Sequence, residues 1–359
     1  MQNMQELIEK NNKTHTVKKE ELNTLIAQAK VIFKENHKPE TWFERSIFIN
    51  WSCGIADCKY CYLSTMPKND KNALRSPASI CAEALVCKMM GWKVGYLTGG
   101  LRVESTSYLI DLIDRINEVL GEKVMMNFGP YHETEINKLE SHISGMGSAI
   151  ESFDEELHNY ICPSKPLKAL ERTLQVLKEK GLKKIITIIL GMGEKMSDVD
   201  IVIEKINQYE ITTLQLCFLK PQKDTPFENV PAPNPDYMAY WIAKVRIACP
   251  KINIKVALVD NRIEDLSLYL NAGANCFSRF MIFKDFNKPN AQALLDEAKK
   301  ANRELLGRWK KMPEIDLDKE MNKLDLDEEF KKVMKQKAEQ YIKKLKKLEQ
   351  KNQLHKLKI

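Results

Sequence analysis

Short apolar runs alternate with amphipathic segments along most of this chain, and that alternation limits the folds available to it. Eight such runs are each followed by a loop rich in Gly, Pro, Asp or Asn, and most then by an amphipathic helix. The runs span residues 46–51, 94–98, 123–128, 147–152, 184–190, 213–219, 253–258 and 275–277. Strands that alternate with helices form parallel sheets. We therefore predict an α/β fold, a (β/α)8 barrel of the TIM type, with its chemistry at the carboxyl ends of the strands.

Helical patterns flank the eight βα units on both sides. Residues 5–36 carry apolar side chains at helical spacing among charges, and after Phe286 the pattern is helical only, over 289–306 and 316–357. The sequence therefore predicts an N-terminal helical lead-in over 1–41, a barrel over 42–286 and a basic C-terminal helical extension over 287–359.

Composition excludes several classes of protein. A hydrophobic content of 43% in 359 residues excludes wholesale disorder, and no window approaches the roughly 18 uninterrupted apolar residues of a membrane span. The N-terminus lacks the apolar run of a secretory signal, which predicts a cytoplasmic protein. In that reducing compartment the nine cysteines are expected to be thiols or metal ligands rather than disulfides.

The net charge of +7 is concentrated in the C-terminal tail. Residues 308–359 hold 16 Lys and Arg against 10 Asp and Glu, whereas the rest of the chain holds 40 against 39. The nearly neutral body disfavours a broad phosphate-binding face. Two interpretations of the basic tail helix stay open: a solvated helix that packs one stripe on the barrel or another subunit, which is favoured, and an anchor for an anionic partner such as nucleic acid.

Three cysteines within nine residues, Cys53, Cys58 and Cys61, form the strongest chemical signal. Thiolates on one short loop can converge on a metal centre. Structural zinc takes four ligands, and the flanks of this loop offer no fourth Cys or nearby His. In a 4Fe-4S cluster, three cysteines leave one iron open to a small molecule. The other cysteines stand singly in apolar stretches and are predicted to be small core residues: Cys81, Cys87, Cys162, Cys217, Cys249 and Cys276.

The cysteine loop resembles that of the radical S-adenosylmethionine (SAM) enzymes. Two features carry the resemblance: the aromatic Tyr60 stands directly before the third cysteine, and the loop belongs to a predicted barrel. Four residues separate Cys53 from Cys58, where the family usually has three. The resemblance implies a 4Fe-4S cluster on Cys53, Cys58 and Cys61, whose open iron chelates SAM. It further implies that an electron from the cluster cleaves SAM to a 5′-deoxyadenosyl radical, and that the electron comes from a one-electron donor of the flavodoxin or ferredoxin type.

The resemblance also implies residues that contact SAM, among them Tyr60 beside the third cysteine. The turn after the second strand, Thr98-Gly99-Gly100, is similar to the turn that meets the methionine amino group through backbone carbonyls. Glu151 resembles a Glu that binds the ligand's ammonium group, although a capping role is an alternative. Arg172 resembles an Arg that pairs with the methionine carboxylate, although a surface arginine is an alternative. Leu190 and Gly191 are similar to the segment that packs on the adenine.

Further stretches narrow the resemblance to the biotin-synthase-like subfamily. Residues 157–164, 224–231 and 272–275 are similar to biotin synthase and its relatives. The ends of the second, third and fifth strands lack the cysteines that would hold an auxiliary 2Fe-2S cluster, which disfavours sulfur insertion from such a cluster. The widened cysteine spacing favours the biotin-synthase-like proteins of iron-guanylylpyridinol (FeGP) cofactor biosynthesis. A component of a two-protein lipoyl synthase, which would need a partner protein to supply sulfur, is the competing interpretation.

The substrate is predicted to be a small molecule bound at the barrel mouth. Its candidate contacts are Asn127, Tyr131, His132, Gln215, Lys220, Asp260, Asn261, Arg262 and Arg279, with His132 favoured because it titrates near physiological pH. Trp51 and Tyr62 flank the cysteine loop and are predicted to pack rather than react. A hypothesis of a different class is a non-catalytic iron–sulfur or nucleic-acid-binding scaffold built around the basic tail.

Overall fold

The computed structural model describes residues 2–258 and 262–356, and its centre is a closed barrel of eight parallel strands. The strands are β1 (Phe43–Phe48), β2 (Lys93–Thr98), β3 (Met125–Asn127), β4 (Gly145–Glu151), β5 (Lys183–Leu190), β6 (Thr213–Phe218), β7 (Asn253–Ala257) and β8 (Cys276–Ser278). Each strand pairs with the next, and β8 pairs with β1. The predicted (β/α)8 TIM-type fold is confirmed.

Helices surround the barrel and extend from both of its sequence ends. They are α1 (Gln2–Lys13), α2 (Lys19–Asn36), α3 (Pro77–Met90), α4 (Thr106–Leu120), α5 (Glu133–Leu139), α6 (Glu155–Ile161), α7 (Leu167–Glu179), α8 (Asp198–Tyr209), α9 (Pro235–Ala248), α10 (Leu266–Asn271), α11 (Ile282–Asp285), α12 (Pro289–Lys300), α13 (Leu317–Asn322) and α14 (Glu328–Lys356). Short 3-10 turns occur at Tyr62–Thr65, Lys71–Ala73 and Ile263–Asp265. Within residues 2–258 and 262–356, none of these helices has the length and apolarity to cross a bilayer.

Local sequence signals explain where several of these helices begin and end. Ser76 caps α3 by accepting a hydrogen bond from the Ser79 amide, and Gly91 ends it in a left-handed conformation. Ser105 and Gly121 do the same for α4. The main core lies between the barrel and its helices, because alternate strand residues such as Ile47, Leu97 and Met126 face outward and are fully buried.

The long C-terminal helix α14 lies across α3. Its apolar stripe, including Met334, Ala338 and Leu345, is buried, while the lysines at 343, 344, 346 and 347 are exposed. The Tyr341 hydroxyl lies 3.3 Å from Arg75 and 3.4 Å from Glu83. The structure therefore contains the packing that the favoured interpretation predicted: one apolar stripe of α14 packs on a helix of the barrel, and the lysines face solvent.

The structure differs from the predicted pattern at several element boundaries. Strand β1 starts three residues earlier than predicted and ends at Phe48, because the chain then leaves the sheet and Asn50 makes an antiparallel bridge with Leu74. The predicted helix over 289–306 stops at Lys300, since Glu304–Leu305 pairs in parallel with Glu40–Thr41. The lead-in and the tail are each broken into two helices, α1 with α2 and α13 with α14.

The barrel interior contains a buried polar column at its amino-terminal half. The Lys255 ammonium lies 2.8 Å from the Glu44 carboxylate and 4.4 Å from the centre of the Tyr96 ring. The Tyr96 hydroxyl donates to Gln215 Oε1 at 2.9 Å. Burial alone would raise the pKa of Glu44, but the attraction of Lys255 outweighs it and lowers this pKa below its usual value.

The substitution Lys255→Met is expected to lower the free energy of unfolding by about 3 kcal/mol at neutral pH, because it leaves Glu44 buried without its partner. The lowered pKa of Glu44 stabilises the native fold above the pKa of its unfolded form, and that contribution disappears as pH falls through the folded pKa. In the variant, burial raises this pKa instead. The deficit should therefore begin to shrink as the pH falls through the raised pKa of the variant, and it should shrink further below a pH of about 4, where the wild-type protein loses the contribution of Glu44.

Urea unfolding at a series of pH values measures this difference. Lys244→Met, which removes only a surface pair with Asp200, is the matched control and should cost less than about 1 kcal/mol. A deficit that is equal at neutral and acidic pH would contradict the assignment to Glu44.

Candidate metal and cofactor site

The cysteine loop follows β1 at the carboxyl end of the barrel and is held against the loop that follows β2. The Gly54 amide donates to the Leu101 carbonyl at 2.7 Å, and the Leu101 amide points back to Cys53 Sγ at 3.3 Å. A second amide, that of Ala56, lies 3.4 Å from the same sulfur. Two backbone donors thus converge on the Cys53 sulfur and hold it in place against the neighbouring loop.

The glycine-rich turn predicted after β2 is the surface on which the cysteine loop packs. A Cβ atom built at Gly100 would lie 1.7 Å from the Ser52 carbonyl oxygen, so any larger residue would force the two loops apart. The Gly100 amide donates to Asn50 Oδ1 at 2.7 Å. At the end of β2, Thr98 donates to the Asn127 carbonyl at 3.3 Å. The structure therefore places Gly100 directly against the cysteine loop, with Gly99 and Thr98 preceding it on the same turn.

The three cysteines lie close enough to influence one another electrostatically. Burial, together with the neighbouring Cys58 and Cys53, raises the pKa of Cys61 to about 11. A hydrogen bond with Cys162 and the nearby Lys165 ammonium lower the pKa of Cys58, despite its burial. Cys53 is buried, whereas Cys58 and Cys61 are half-buried.

This donor set suits an iron–sulfur cluster. Three soft sulfur atoms lie on one partly shielded loop, and soft thiolates select iron–sulfur clusters or zinc. Among residues 2–258 and 262–356, no three Cys, His, Asp or Glu side chains come together as the ligands of one metal ion would. A cube binds each cysteine at a different iron and does not require such convergence. The residues present therefore fit the cluster, with its fourth iron left for another ligand.

Beside the cysteine loop, Glu151 is the centre of a hydrogen-bond network that the sequence did not predict. A bulge and a positive φ of 61° at the end of β4 turn this residue toward the cysteines. One carboxylate oxygen accepts from the Tyr60 hydroxyl at 2.6 Å, and the other lies 2.7 Å from the Lys165 ammonium and 3.9 Å from Cys162 Sγ. Burial and then Glu151 raise the pKa of Tyr60 well above its usual value. Both oxygens of Glu151 thus have partners within the chain.

Arg172 lies across a cavity from the glycine turn. The cavity has a volume of about 750 Å³ and is lined by Asn50, Gly100, Tyr131, His132, Ser164 and Arg172 among others. The Arg172 side chain is 76% exposed, and Glu133 is 3.5 Å from its guanidinium. This cavity brings Arg172 and His132 to the same space beside the cysteine loop.

Leu190 ends β5, and the loop that follows it from Gly191 is held by the N-terminal segment. Its own Glu194 carboxylate accepts from the amides of Gly191 and Met192 at 2.8 and 3.0 Å. Three side chains from the lead-in, which we call the N-terminal clasp, bind the loop's carbonyls. They are Asn11 on Gly193 at 2.7 Å, Asn12 on Gly191 at 2.9 Å and His15 on Glu194 at 2.7 Å. No sequence motif indicated this clasp.

The double substitution Asn12→Ala with His15→Ala is expected to speed hydrogen exchange at the amides of residues 191–194 by roughly tenfold or more. Each of the two lost hydrogen bonds contributes about 1 kcal/mol to the stability of the closed loop. Mass-spectrometric hydrogen–deuterium exchange measures this effect. Asn36→Ala removes a comparable bond to the Ile32 carbonyl inside α2 and should leave the loop unchanged. Unchanged exchange in the double variant would show that the clasp does not hold the loop.

The predicted substrate contacts fall in different places. His132 is exposed at the start of α5, and Asn127 is half-buried on β3. Gln215 is buried with Tyr96 inside the barrel. Arg262 is engaged by Asp265 at 2.7 Å and lies over the Phe218 ring, away from the cavity. Two further candidates, Asp260 and Asn261, lie outside the described residues.

Three of the cysteines assigned to apolar surroundings lie in polar ones instead. Cys162 contacts Cys58 and Glu151. Cys217 lies 3.6 Å from the Gln215 amide nitrogen, and Cys276 lies 3.6 Å from Glu44. All six of the single cysteines are buried, so their predicted place in the core is confirmed. Cys217 and Cys276 nevertheless have polar neighbours, because alternate residues of β6 and β8 face the polar interior of the barrel.

Comparisons with known proteins agree with this geometry. A sequence model described as the radical SAM superfamily matches residues 53–206. An uncharacterized protein of Methanocaldococcus jannaschii is 32% identical over 269 residues, which cover 74% of this chain and 74% of that protein. A biotin synthase of Shewanella denitrificans is 24% identical over 266 residues, 71% of this chain and 74% of that enzyme. The crystal structure of methylornithine synthase has a TM-score of 0.66 at 17% identity, over 84% of this chain and 97% of that chain, which shows a common fold.

The matched region coincides with the part of the molecule that builds the site. It begins at Cys53 and continues through β2, β3, β4 and β5. The ends of these strands carry the glycine turn, Glu151 and the clasped loop. The barrel, the cysteine loop and the sequence matches thus lead to one conclusion: the chain is an enzyme that belongs to the radical SAM superfamily and has biotin synthases among its relatives.

Proposed function

We propose that this enzyme cleaves SAM reductively at a 4Fe-4S cluster held by Cys53, Cys58 and Cys61, and that it abstracts a hydrogen atom from a small molecule. The observation that carries the proposal is the packing of the three-cysteine loop on the Gly99–Gly100 turn at the carboxyl end of the barrel. When bound, the cluster supplies the electron that breaks the sulfonium bond of SAM. The protein binds and orients SAM and the substrate and shields them from solvent.

Several residues would hold SAM. The exposed Arg172 guanidinium is free to pair with a carboxylate across the cavity, where Glu133 at 3.5 Å is a weak competitor. The backbones of Thr98, Gly99 and Gly100 would meet the amino group, and those of Leu190 and Gly191 would meet the adenine. Both carboxylate oxygens of Glu151 already have partners within the chain. We therefore propose that Glu151 positions Tyr60 rather than contacts SAM directly.

The substrate is proposed to be a small molecule of cofactor biosynthesis, of the FeGP type. The four-residue spacing between Cys53 and Cys58 supports this finer assignment. Among the predicted substrate contacts, Tyr131 and His132 have the best support because both line the same cavity as Arg172. A second candidate function is sulfur insertion. Two cysteines inside the barrel, Cys217 and Cys276, favour a sulfur source held by this chain, and in its absence a partner protein would have to supply the sulfur.

Anaerobic reconstitution tests the proposal. We expect about four iron and four sulfide per chain and release of 5′-deoxyadenosine on addition of dithionite and SAM. A colourless protein that binds one zinc would contradict it. An auxiliary cluster would add about two iron, which Cys217→Ala with Cys276→Ala would remove. Transfer of deuterium from labelled candidate substrates into 5′-deoxyadenosine identifies the substrate and the abstracted position.

A further inference from the structure

We propose that Arg279 anchors an anionic group of the substrate, a carboxylate or a phosphate, inside the carboxyl end of the barrel. This inference rests on the proposed function and deepens it, because it assigns the substrate to the class of anionic small molecules. Arg279 is one of the predicted substrate contacts. Its orientation, its position near the barrel axis and its uncompensated charge distinguish it from the others.

The backbone turns the Arg279 side chain into the barrel. Cys276 on β8 lies 3.6 Å from the Glu44 carboxylate in the interior, and Ser278, two residues later, shares that face. Side chains alternate along a strand, so Arg279 would point outward if β8 continued. Its left-handed φ of 62° breaks the alternation. That conformation is strained for an arginine, and such strain is typical of functional sites.

The groups that interact with Arg279 place its guanidinium near the barrel axis. Its strongest electrostatic interactions are with Cys217 on β6 and Tyr96 on β2, followed by Tyr60 and Cys61 on the cysteine loop. Three strands separate β2 from β6 in either direction around the barrel, so these two strands form opposite walls. A group that is close to both walls and to the cysteine loop lies between that loop and the buried polar column.

The interior around Arg279 is open rather than filled. Three small residues, Ser46, Thr98 and Ala149, occupy inward-facing positions toward the carboxyl ends of β1, β2 and β4. Each of them is only half-buried, and Arg279 itself is exposed. A side chain that lies among the strands of a barrel can reach solvent only through an open mouth. The carboxyl end of the barrel therefore has space for a small molecule beneath the cysteine loop.

The positive charge of Arg279 has no counter-charge in the described part of the chain. The groups that act on it most strongly are two thiols and two phenols, with no carboxylate among them. Burial raises the pKa of the Cys217 thiol, which is therefore neutral at physiological pH. Glu44 and Glu151 also face the interior, but each is already paired with its own lysine, at 2.8 and 2.7 Å. An anion from outside the chain would supply the missing charge.

The polar groups beside Arg279 suit an anion with two or more oxygen atoms. A guanidinium presents N–H groups in one plane, which match two oxygens of a carboxylate or a phosphate. The adjacent Ser278 hydroxyl is buried and, within residues 2–258 and 262–356, has no hydrogen-bond partner. Because Tyr60 and Cys61 are close to Arg279, a substrate anchored there lies beside the proposed cluster. Arg279 binds and orients in this assignment, and it transfers neither a proton nor an electron.

Charged and uncharged probes of one shape test the assignment. Benzoate and phenyl phosphate are the anionic probes, and benzamide is the neutral one. Their dissociation constants are measured by ligand-observed NMR on the reconstituted enzyme without reductant. Saturating SAM is present, because its carboxylate is proposed to occupy Arg172. We expect one of the anions to bind at least about tenfold more tightly than benzamide, and the anion that does so identifies the substrate group as a carboxylate or a phosphate.

Substitutions of Arg279 locate the bound anion. Arg279→Gln should weaken binding of the preferred anion by roughly tenfold or more and leave benzamide unchanged, whereas Arg279→Lys, which keeps the charge, should weaken it less. Arg308→Gln is the matched control and should bind as the wild type does. Arg308 is exposed at the opposite end of the barrel, where its amide donates to the Met90 carbonyl shortly before β2 begins.

Three results would overturn the proposal. The first is equal binding of benzoate, phenyl phosphate and benzamide by the wild-type enzyme, and the second is an unchanged affinity for the preferred anion in Arg279→Gln. The third is a loss of bound iron or an altered visible spectrum in Arg279→Gln, which would assign the guanidinium to the cluster instead.

Failure of the proposed function gives a different result. If the wild-type protein binds no cluster, or its reduced cluster does not cleave SAM, the proposed function fails. If the wild-type protein cleaves SAM but binds the anions no more tightly than benzamide, only the assignment of Arg279 is wrong.

Discussion

Replacement of Cys53, Cys58 or Cys61 by alanine, one at a time, is expected to reduce bound iron from about four atoms per chain to below about one and to abolish cleavage of SAM. Each cysteine is one of only three protein ligands of the proposed cluster. The loop contains no further cysteine that could replace a lost ligand. Iron and sulfide analysis, the visible spectrum and release of 5′-deoxyadenosine measure the effect.

Two further cysteines make this experiment specific. Cys249 is buried at the end of α9, 4.0 Å from Asn207, and Cys249→Ala should bind a full cluster. Cys162→Ala tests the neighbour of Cys58 directly and should also retain the cluster, since Cys162 is assigned as a hydrogen-bond partner rather than a ligand. If Cys53→Ala stays brown and still cleaves SAM, the ligand assignment is wrong.

Lys165→Met is expected to lower the free energy of unfolding by about 3–5 kcal/mol, because it leaves the Glu151 carboxylate buried without its counter-charge. Lys165 and Glu151 are both almost fully buried and 2.7 Å apart. The Lys165 ammonium also donates to the Ala149 carbonyl at 2.7 Å, so the substitution leaves a second polar group unpaired. Equilibrium unfolding in urea under anaerobic conditions measures the loss.

A surface pair between the neighbouring helices α6 and α7 provides the control for this prediction. Lys168 and Glu155 are 3.7 Å apart, with side chains that are 84% and 62% exposed. Lys168→Met should therefore change the free energy of unfolding by less than about 1 kcal/mol. If Lys165→Met is no more destabilising than Lys168→Met, the buried pair does not stabilise the end of β4.

The barrel and the cysteine loop could be predicted from sequence because their signals are local. Alternating apolar runs and helices determine a parallel sheet, and three cysteines in nine residues need no tertiary information to suggest a common centre. The register of β1 and the short strand Glu304–Leu305 could not be predicted, because both depend on pairing with residues distant in sequence.

The network around Glu151 shows the same limit within the site. Glu151 was selected by resemblance, but its partner Lys165 lies in a loop whose sequence gives no sign that its ammonium group is buried. The clasp residues Asn11, Asn12 and His15 lie more than 170 residues from the loop that they hold. Such contacts arise only when the helices have packed, and a single sequence contains no local pattern that indicates them.

The position of α14 on α3 affects how the basic tail should be investigated. Most side chains of α3 are buried, including Ile80 and Leu85, and α14 covers part of that apolar surface. Truncation before residue 316 would uncover it, and the shortened protein would be prone to aggregate, whatever the tail binds. Charge reversal of the exposed lysines at 343, 344, 346 and 347 keeps the cover in place and separates a recognition role from a purely architectural one.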